Sequence, residues 1–261
     1  MPEGDTIHHA ARRIAAVLAG HVPDEITTPH PRFGRDRWPQ RLAGRRLEAA
    51  DALGKHLLLR FEGGLVVHSH LRMTGAWRVL RRGERWPRSA RSAWLVLRRG
   101  EVEVVQFNGP VLELLTAARA RGDPRLASLG PDLVASRPFD EARFLRRLRQ
   151  DDPSRTLGDV LLDQHVVAGI GNFWKSEACW RAGIDPWRRI ADVADEEALA
   201  VVRGVRPLMQ ESAGHGRQDV FRTIYGRAGL PCPRCGAPAL IQARGQGDDN
   251  RTTYWCPVCQ R

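Results

Sequence analysis

The chain lacks several features that would place it in common protein classes. No apolar run approaches the roughly eighteen residues of a membrane-spanning helix. Residues 8–13 read His-His-Ala-Ala-Arg-Arg, where a signal peptide would need its apolar stretch. Cysteine is scarce, and an odd total of five argues against a complete disulfide framework. These absences predict a cytoplasmic or nucleoid protein without a membrane partner.

Lysine is almost missing as well. Of 41 basic residues only two are lysine, Lys55 and Lys175, and the rest are arginine. Genome composition explains a preference for arginine over lysine. The two positions that keep a lysine are therefore the informative ones. Lys55 lies in Gly54-Lys55-His56, between a polar loop and an apolar strand, which favours a need for ammonium chemistry. Lys175 is the other lysine, and its place in the sequence indicates a requirement for an ammonium group less clearly.

What the chain has in excess is positive charge. Its 261 residues are 42% hydrophobic, enough for one large or two modest folded domains, and its net charge is +11. Such a charge favours a polyanionic partner, nucleic acid before membrane. On charge alone, a basic protein that binds no polyanion remains an alternative.

The amino terminus reads Met1-Pro2-Glu3-Gly4-Asp5. Proline in second place favours removal of Met1, which would expose the secondary amine of Pro2. An α-amino group titrates near pH 8, so part of it is unprotonated at neutral pH and can attack an electrophilic carbon. Glu3 then offers a carboxyl for proton transfer. A frayed terminus with no chemical role is the alternative.

Four cysteines form two C-x2-C pairs, Cys232 with Cys235 and Cys256 with Cys259, separated by twenty residues. This spacing predicts one tetrahedral Zn²⁺ site. Four thiolates leave no open position for water, so the zinc is expected to be structural. Cys179, beside Trp180 in an apolar helical stretch, is predicted to be core packing.

Periodicity predicts an α+β multidomain protein. A first helix capped by Asp5 ends at Gly20, short β-rich runs from 45 to 115 predict a sandwich or barrel, and helical spacing resumes at 139. The tail from 224 is too small to fold without metal. The predicted divisions are a catalytic β-sandwich domain at 1–120, a linker at 121–138, a helical domain at 139–223 and a zinc finger at 224–261.

Between two predicted helices lies Ala168-Gly169-Ile170-Gly171-Asn172. The two glycines let backbone N–H groups turn toward one point, and Asn172 adds a side-chain donor, so the segment is suited to gripping a phosphate. A plain helix-turn-helix corner needs glycine as well, and both interpretations stay open.

Taken together, these motifs resemble the formamidopyrimidine-DNA glycosylase and endonuclease VIII family, in order and over nearly the whole chain. The motifs that carry the resemblance are Pro2-Glu3-Gly4, Gly54-Lys55, His70-Leu-Arg-Met-Thr-Gly75, Leu129-Gly-Pro-Asp132, Leu161-Leu-Asp-Gln164, Ala168 to Asn172 and the four cysteines. The resemblance implies an N-terminal β-sandwich with flanking helices, a helix-two-turn-helix domain and a zinc finger. It also implies a monomeric base-excision repair enzyme that binds damaged DNA between its domains.

The resemblance further implies a role for each matching residue. Pro2 would attack C1′ of the damaged nucleotide and form an iminium, Glu3 would assist sugar ring opening, and Lys55 would contact a phosphate or donate a proton. Arg251, five residues before Cys256, matches the family's finger arginine, which holds phosphates together with Asn172.

Extrusion of the damaged base requires a wedge in the stack, and Met73 with its neighbour Arg72 is the expected wedge. The chain departs from the family pattern in two places. Asp5-Thr6 stands where the family often has Pro-Glu, and the Phe107 to Leu112 segment lacks the Arg and Phe wedge of the formamidopyrimidine branch. The second departure favours the endonuclease VIII branch and oxidised pyrimidine substrates, whereas the first concerns the efficiency of base release. A zinc-finger protein that senses DNA damage without catalysis is the alternative function.

Overall fold

The computed structural model describes residues 2–34 and 36–261. Met1, whose expected removal would free the Pro2 amine, lies outside the described residues. The chain divides into two compact units. Residue 2 and residues 6–127 form the first unit, and residues 3–5 with 128–261 form the second.

The first unit is built on two four-stranded antiparallel sheets. Their strands are, in chain order, β1 (Glu25–Thr27), β2 (Leu47–Leu53), β3 (His56–Phe61), β4 (Leu65–His70), β5 (Ala76–Arg81), β6 (Ala93–Arg99), β7 (Val102–Phe107) and β8 (Val111–Thr116). One sheet has the order β2-β3-β4-β8 and the other β1-β6-β7-β5. Leu57 and Leu59 from the first sheet and Leu97 from the second share one buried cluster, which confirms the expected sandwich.

Helix α1 (Gly4–Leu18) covers this core because its apolar residues recur every three or four positions. Ile7, Ile14 and Leu18 are at most 1% exposed. The expectation that Asp5 caps this helix is wrong: the helix already begins at Gly4, and Asp5 lies in its first turn. Two short helices follow, α2 (Pro31–Gly34) and α3 (Trp38–Leu42).

Two further short helices close the first unit, α4 (Ala117–Arg121) and α5 (Pro124–Ala127). Helix α4 ends where the stretch expected to be a linker, 121–138, begins, and α5 lies within that stretch. Farther along the same stretch, Leu133 and Val134 are fully buried in the core of the second unit. Apolar side chains thus draw this segment into the fold.

The second unit is helical up to its last forty residues. Its helices are α6 (Glu141–Gln150), α7 (Leu157–Leu162), α8 (Asn172–Ala182) and α9 (Asp195–His215). Helix α8 is buried along most of its length, with Trp174 and Cys179 fully enclosed, so Cys179 is confirmed as core packing. Within residues 2–34 and 36–261, no helix is both long and apolar enough to cross a membrane.

The unit ends in four short strands, β9 (Pro231–Cys232), β10 (Gly236–Leu240), β11 (Gln242–Gln246) and β12 (Arg251–Trp255). Strands β11 and β12 form an antiparallel hairpin in which Gln246 pairs with Arg251. Its turn contains two residues with left-handed backbone, Gly247 (φ 68°) and Asn250 (φ 49°).

Candidate active site and metal site

The carboxylate of Glu3 is held at the N-terminus of α8. It is 1% exposed and accepts the backbone N–H groups of Gly171 (2.9 Å), Phe173 (2.8 Å) and Trp174 (3.3 Å). The first N–H groups of a helix have no partner within the helix, and the helix dipole favours negative charge there. The residue next to Pro2 is therefore a rigidly oriented carboxylate.

Two glycines make this arrangement possible. A Cβ at Gly171 would lie 2.3 Å from Glu3 Cδ, and one at Gly4 would lie 2.6 Å from Gly169 Cα. The Gly4 N–H donates to Gly169 O at 2.9 Å, which ties the chain start to the loop before α8. These close approaches require residues without a side chain.

The backbone N–H groups of Gly169 and Gly171, expected to bind a phosphate, have hydrogen-bond partners within the chain. The Gly171 N–H donates to Glu3, and the Gly169 N–H donates to Gln164 Oε1 at 3.0 Å. In this loop the Gly171 N–H therefore binds the Glu3 carboxylate, and the Gly169 N–H stabilises the loop through Gln164.

Asp5 is also fixed within the second unit. It is 1% exposed, accepts the Ser212 hydroxyl at 2.5 Å and lies 3.2 Å from Gln218 Nε2. A second carboxylate close to Glu3 in sequence is thus present but held by polar partners.

The hairpin that carries Arg251 is joined to the start of α8. Asn172, 4% exposed, donates from Nδ2 to Thr252 O at 2.7 Å. Arg251 pairs with Asp249 of the adjoining turn at 3.1 Å, and its side chain is 36% exposed. Asn172 and Arg251, predicted from the sequence to act together, thus belong to neighbouring parts of one unit.

The four expected metal ligands converge. Cys232 Sγ lies 3.8 Å from Cys259 Sγ, Cys235 Sγ lies 3.9 Å from Cys256 Sγ, and all four sulfurs lie within 4.8 Å of one another. A tetrahedron with metal–sulfur distances of about 2.3 Å has sulfur–sulfur edges of about 3.8 Å. The donor set and its spacing therefore fit a four-thiolate metal site.

In the first unit, Pro2 is half-buried and Lys55 lies in a two-residue turn between β2 and β3. Gly54 takes the left-handed conformation (φ 56°) that lets this turn reverse the chain tightly. The turn places the partly exposed Lys55 at a strand end.

Arg72 and Met73 project from the loop between β4 and β5. Met73 is 59% exposed, which is unusual for a large apolar side chain, and Arg72 has a left-handed backbone (φ 49°) without being glycine. By contrast, Phe107 and Leu112, at the ends of the segment that replaces the other branch's wedge, are at most 1% exposed. Of these four residues, only Arg72 and Met73 are exposed.

A buried histidine relay adjoins the Lys55 turn and was not foreseen from the sequence. His56 Nδ1 lies 2.8 Å from His68 Nε2, and His68 Nδ1 lies 3.2 Å from Glu113 Oε2. Because an ionised carboxylate only accepts, His68 Nδ1–H donates to Glu113, and His68 Nε2 accepts the N–H of His56 Nδ1. Burial lowers the pKa of His56 to about 3 and that of His70 to about 4, so these rings are neutral.

Lys175, whose need was not apparent from the sequence, is fully buried on α8. Its ammonium donates to Thr253 Oγ1 at 2.5 Å and to Gln246 Oε1 at 3.2 Å. The signal available in the sequence was its identity as one of only two lysines among many arginines.

Comparison with known families gives a consistent match. The model of the formamidopyrimidine-DNA glycosylase N-terminal domain matches residues 1–110, and that of the formamidopyrimidine-DNA glycosylase H2TH domain matches residues 129–222. These ranges cover seven of the eight described strands of the sandwich, up to β7, and the helical part of the second unit.

Full-length relatives agree. The chain is 39% identical to the probable endonuclease 8 2 of Streptomyces coelicolor, over 100% of this chain and 94% of that protein. It is 35% identical to the DNA-(apurinic or apyrimidinic site) lyase Nei2 of Mycolicibacterium smegmatis, over 100% and 99%. The structure of Lactococcus lactis Fpg in complex with DNA containing an abasic site superposes with a TM-score of 0.84 over 99% of each chain, at 23% identity, which indicates a shared fold.

Proposed function

The chain belongs to the formamidopyrimidine-DNA glycosylase family, and from that premise we propose that it is a bifunctional DNA glycosylase and abasic-site lyase. It acts in base excision repair as a monomer on damaged DNA, in the cytoplasm or nucleoid. The observation that carries the proposal is the Glu3 carboxylate, buried beside Pro2 and oriented by three N–H donors at the start of α8. The endonuclease 8 names of its full-length relatives support placing it in that branch.

The chemistry begins at the Pro2 nitrogen, freed by loss of Met1. The nitrogen bonds to C1′ of the damaged nucleotide, the bond from C1′ to the base breaks, and the base leaves with a proton. The nitrogen loses its own proton, O4′ leaves C1′ and is protonated, and an iminium remains. Glu3 is placed to move the protons of these two steps.

Strand cleavage follows from the iminium charge. Because a secondary amine yields a permanently cationic iminium, C2′ loses a proton readily and the 3′ phosphate leaves by β-elimination. Loss of the proton at C4′ and departure of the 5′ phosphate complete the δ-elimination. Water then hydrolyses the adduct and regenerates Pro2.

The remaining residues bind and open the DNA. Lys55, Asn172 and Arg251 contact phosphates, while Met73 and Arg72 fill the gap left by the extruded nucleotide. The net charge of +11 and the exposed Met73 support these assignments.

One structural Zn²⁺, held by Cys232, Cys235, Cys256 and Cys259, orders the finger that presents Arg251. Four thiolates would complete its coordination, so the ion takes no part in the reaction. The sulfur spacing supports this choice of ion.

We assign oxidised pyrimidines and abasic sites as the preferred substrates, ahead of 8-oxoguanine opposite cytosine. A single flexible methionine wedge recognises the opposite base loosely, and non-aromatic pyrimidine lesions stack poorly and leave the helix at low cost. The burial of Phe107 and Leu112 supports a site without the second wedge.

The test is trapping with borohydride on abasic-site DNA. Mature protein, with Met1 loss verified by mass, is expected to give a reduced covalent adduct whose linkage maps to Pro2. Pro2→Gly, which keeps an amine but loses the ring, should trap more weakly. Binding without any adduct would refute the lyase and favour a protein that only senses damage.

A further inference from the structure

The ammonium of Lys175 occupies an unusual environment. Its side chain is fully buried, and both of its acceptors, Thr253 Oγ1 and Gln246 Oε1, are uncharged. Burying an ammonium is costly unless its hydrogen bonds and nearby charges compensate. An apolar side chain of similar size would avoid this free-energy cost, so we expect the ammonium itself to have a role.

The contacts of Lys175 lead directly to Arg251. Thr253 lies two residues after Arg251 on β12, so the two side chains share a face of the hairpin. Gln246 is the cross-strand partner of Arg251. Both acceptors of the ammonium thus belong to the framework that sets the position of the finger arginine.

Gln246 joins the hairpin to the helical part of the unit. The Thr253 hydroxyl donates to Gln246 Oε1 at 2.6 Å, and Gln246 Nε2 donates to Thr156 Oγ1 at 2.8 Å and to Pro186 O at 2.9 Å. Lys175 donates into the same junction. Removing its ammonium would leave buried acceptors with fewer donors.

Burial lowers the pKa of Lys175 to about 8. The charged or titratable groups that act on it are Cys179 on its own helix, Asp159 on α7, Arg251 on β12 and Glu3. Arg251 lowers this pKa, while the other three raise it. A DNA phosphate bound at Arg251 would add negative charge nearby and favour the ammonium form.

We infer that Lys175 is a positioning residue for phosphate binding, which fixes the Arg251 hairpin through Thr253 and Gln246 and adds a buried positive charge beneath it. The inference rests on the proposed function, since it assumes that Arg251 binds a DNA phosphate. It predicts that DNA binding and protonation of Lys175 strengthen each other, which a purely structural lysine would not show.

The direct test is NMR of protein labelled with ¹³C at the lysine ε position. With only two lysines in the chain, two signals are expected, and Lys55→Arg assigns them. The Lys175 signal should titrate near pH 8 in the free protein. Adding an uncleavable duplex with a tetrahydrofuran abasic analogue should raise its pKa by about one unit, whereas an unchanged pKa would refute the electrostatic part.

Binding of the same duplex by variants provides the second test. By linkage, a pKa increase of one unit on binding corresponds to a loss of affinity of up to about tenfold as the pH rises from 7 to 9.5. A free Pro2 amine titrates in the same range, so the measure is the difference between wild type and Lys175→Met. That variant should bind more weakly at pH 7 and show less pH dependence.

Thr253→Val separates positioning from charge, because it removes the hydroxyl and keeps the ammonium. It should weaken binding while retaining the pH dependence. Arg146→Met, which removes an exposed cation on α6, is the matched control and should change neither. Metal content and melting temperature establish that each variant is folded. If Lys175→Met kept the pH profile of the wild type, the inference would be overturned.

The two proposals fail independently. Binding of the tetrahydrofuran duplex requires no bond to be made or broken. If wild-type protein binds this duplex but gives no borohydride adduct, the lyase proposal fails and the Lys175 inference can still be tested. If the protein forms the adduct but the pKa of Lys175 does not change on DNA binding, the lyase is supported and the positioning role of Lys175 is refuted.

Discussion

Substituting Gly171 by alanine tests whether the seat of Glu3 is as tight as the structure indicates. The new Cβ would lie 2.3 Å from Glu3 Cδ, while real Cβ contacts are essentially never below 3.0 Å. Glu3 must therefore retreat by about 0.7 Å or more. Such a shift would stretch its 2.8 and 2.9 Å hydrogen bonds to Phe173 and Gly171 beyond useful length.

The magnitude follows from those bonds. A hydrogen bond to a charged group contributes about 1.5–3 kcal/mol, so losing two should cost about 3–6 kcal/mol of stability if nothing else rearranges. Misplacing a reacting group by about 1 Å also lowers a rate by about a hundredfold. Base release from a dihydrouracil duplex under single-turnover conditions should therefore fall by that order.

The assay pairs this rate with a thermal melt and uses Gly204→Ala as its control. Gly204 lies inside α9, and a Cβ added there would meet nothing within 4 Å, so alanine should be neutral or stabilise by up to about 1 kcal/mol. Wild-type rate and melting temperature in Gly171→Ala would refute the tight seat of Glu3.

Two further outcomes are expected. The folded-state pKa of His56, about 3 against an ordinary value of 6.5, means that only the unfolded chain takes up this proton between those values. The stabilisation is complete above about pH 6.5 and is lost as the pH falls toward 3. At pH 5 the free energy of unfolding should therefore be lower than at neutral pH by on the order of 1–2 kcal/mol, and His56→Gln should reduce this difference. An equal difference in the variant and the wild type would contradict this origin. Cys232→Ser should release zinc and unfold the finger while residues 6–127 stay folded, which metal analysis and amide exchange would show. The control Cys179→Ala should keep its metal. An active wild-type enzyme without zinc would contradict the assignment.

Several elements were predictable because local patterns determine them. Strand β4 (Leu65–His70) lies in the stretch predicted to be β-rich, since turn residues delimit an apolar run there, and the C-x2-C pairs converge as expected. Helix α9 lies in the region predicted to be helical and extends to His215, because Ser212 and Ala213 keep one face buried near its end.

The rest depends on long-range contacts that periodicity does not encode. That Glu3 would accept the N–H groups of Gly171 and Phe173 requires knowing which helix terminus meets residue 3. The His56–His68–Glu113 relay joins three strands, and its members look unrelated along the chain. Lys175 was recognised as an exception, but its acceptors are about seventy and eighty residues away.

The separation between Glu3 and its partner also bears on synthesis of the protein. Glu3 is synthesised well before Gly171, which donates its N–H to it and lies 168 positions later. The sandwich, composed of residues 6–127, is complete in sequence long before then. Nascent chains therefore carry Glu3 without these N–H donors until α8 has emerged, so the carboxylate becomes oriented only late in folding. Truncated products that end before residue 171 would lack the N–H donors that orient Glu3.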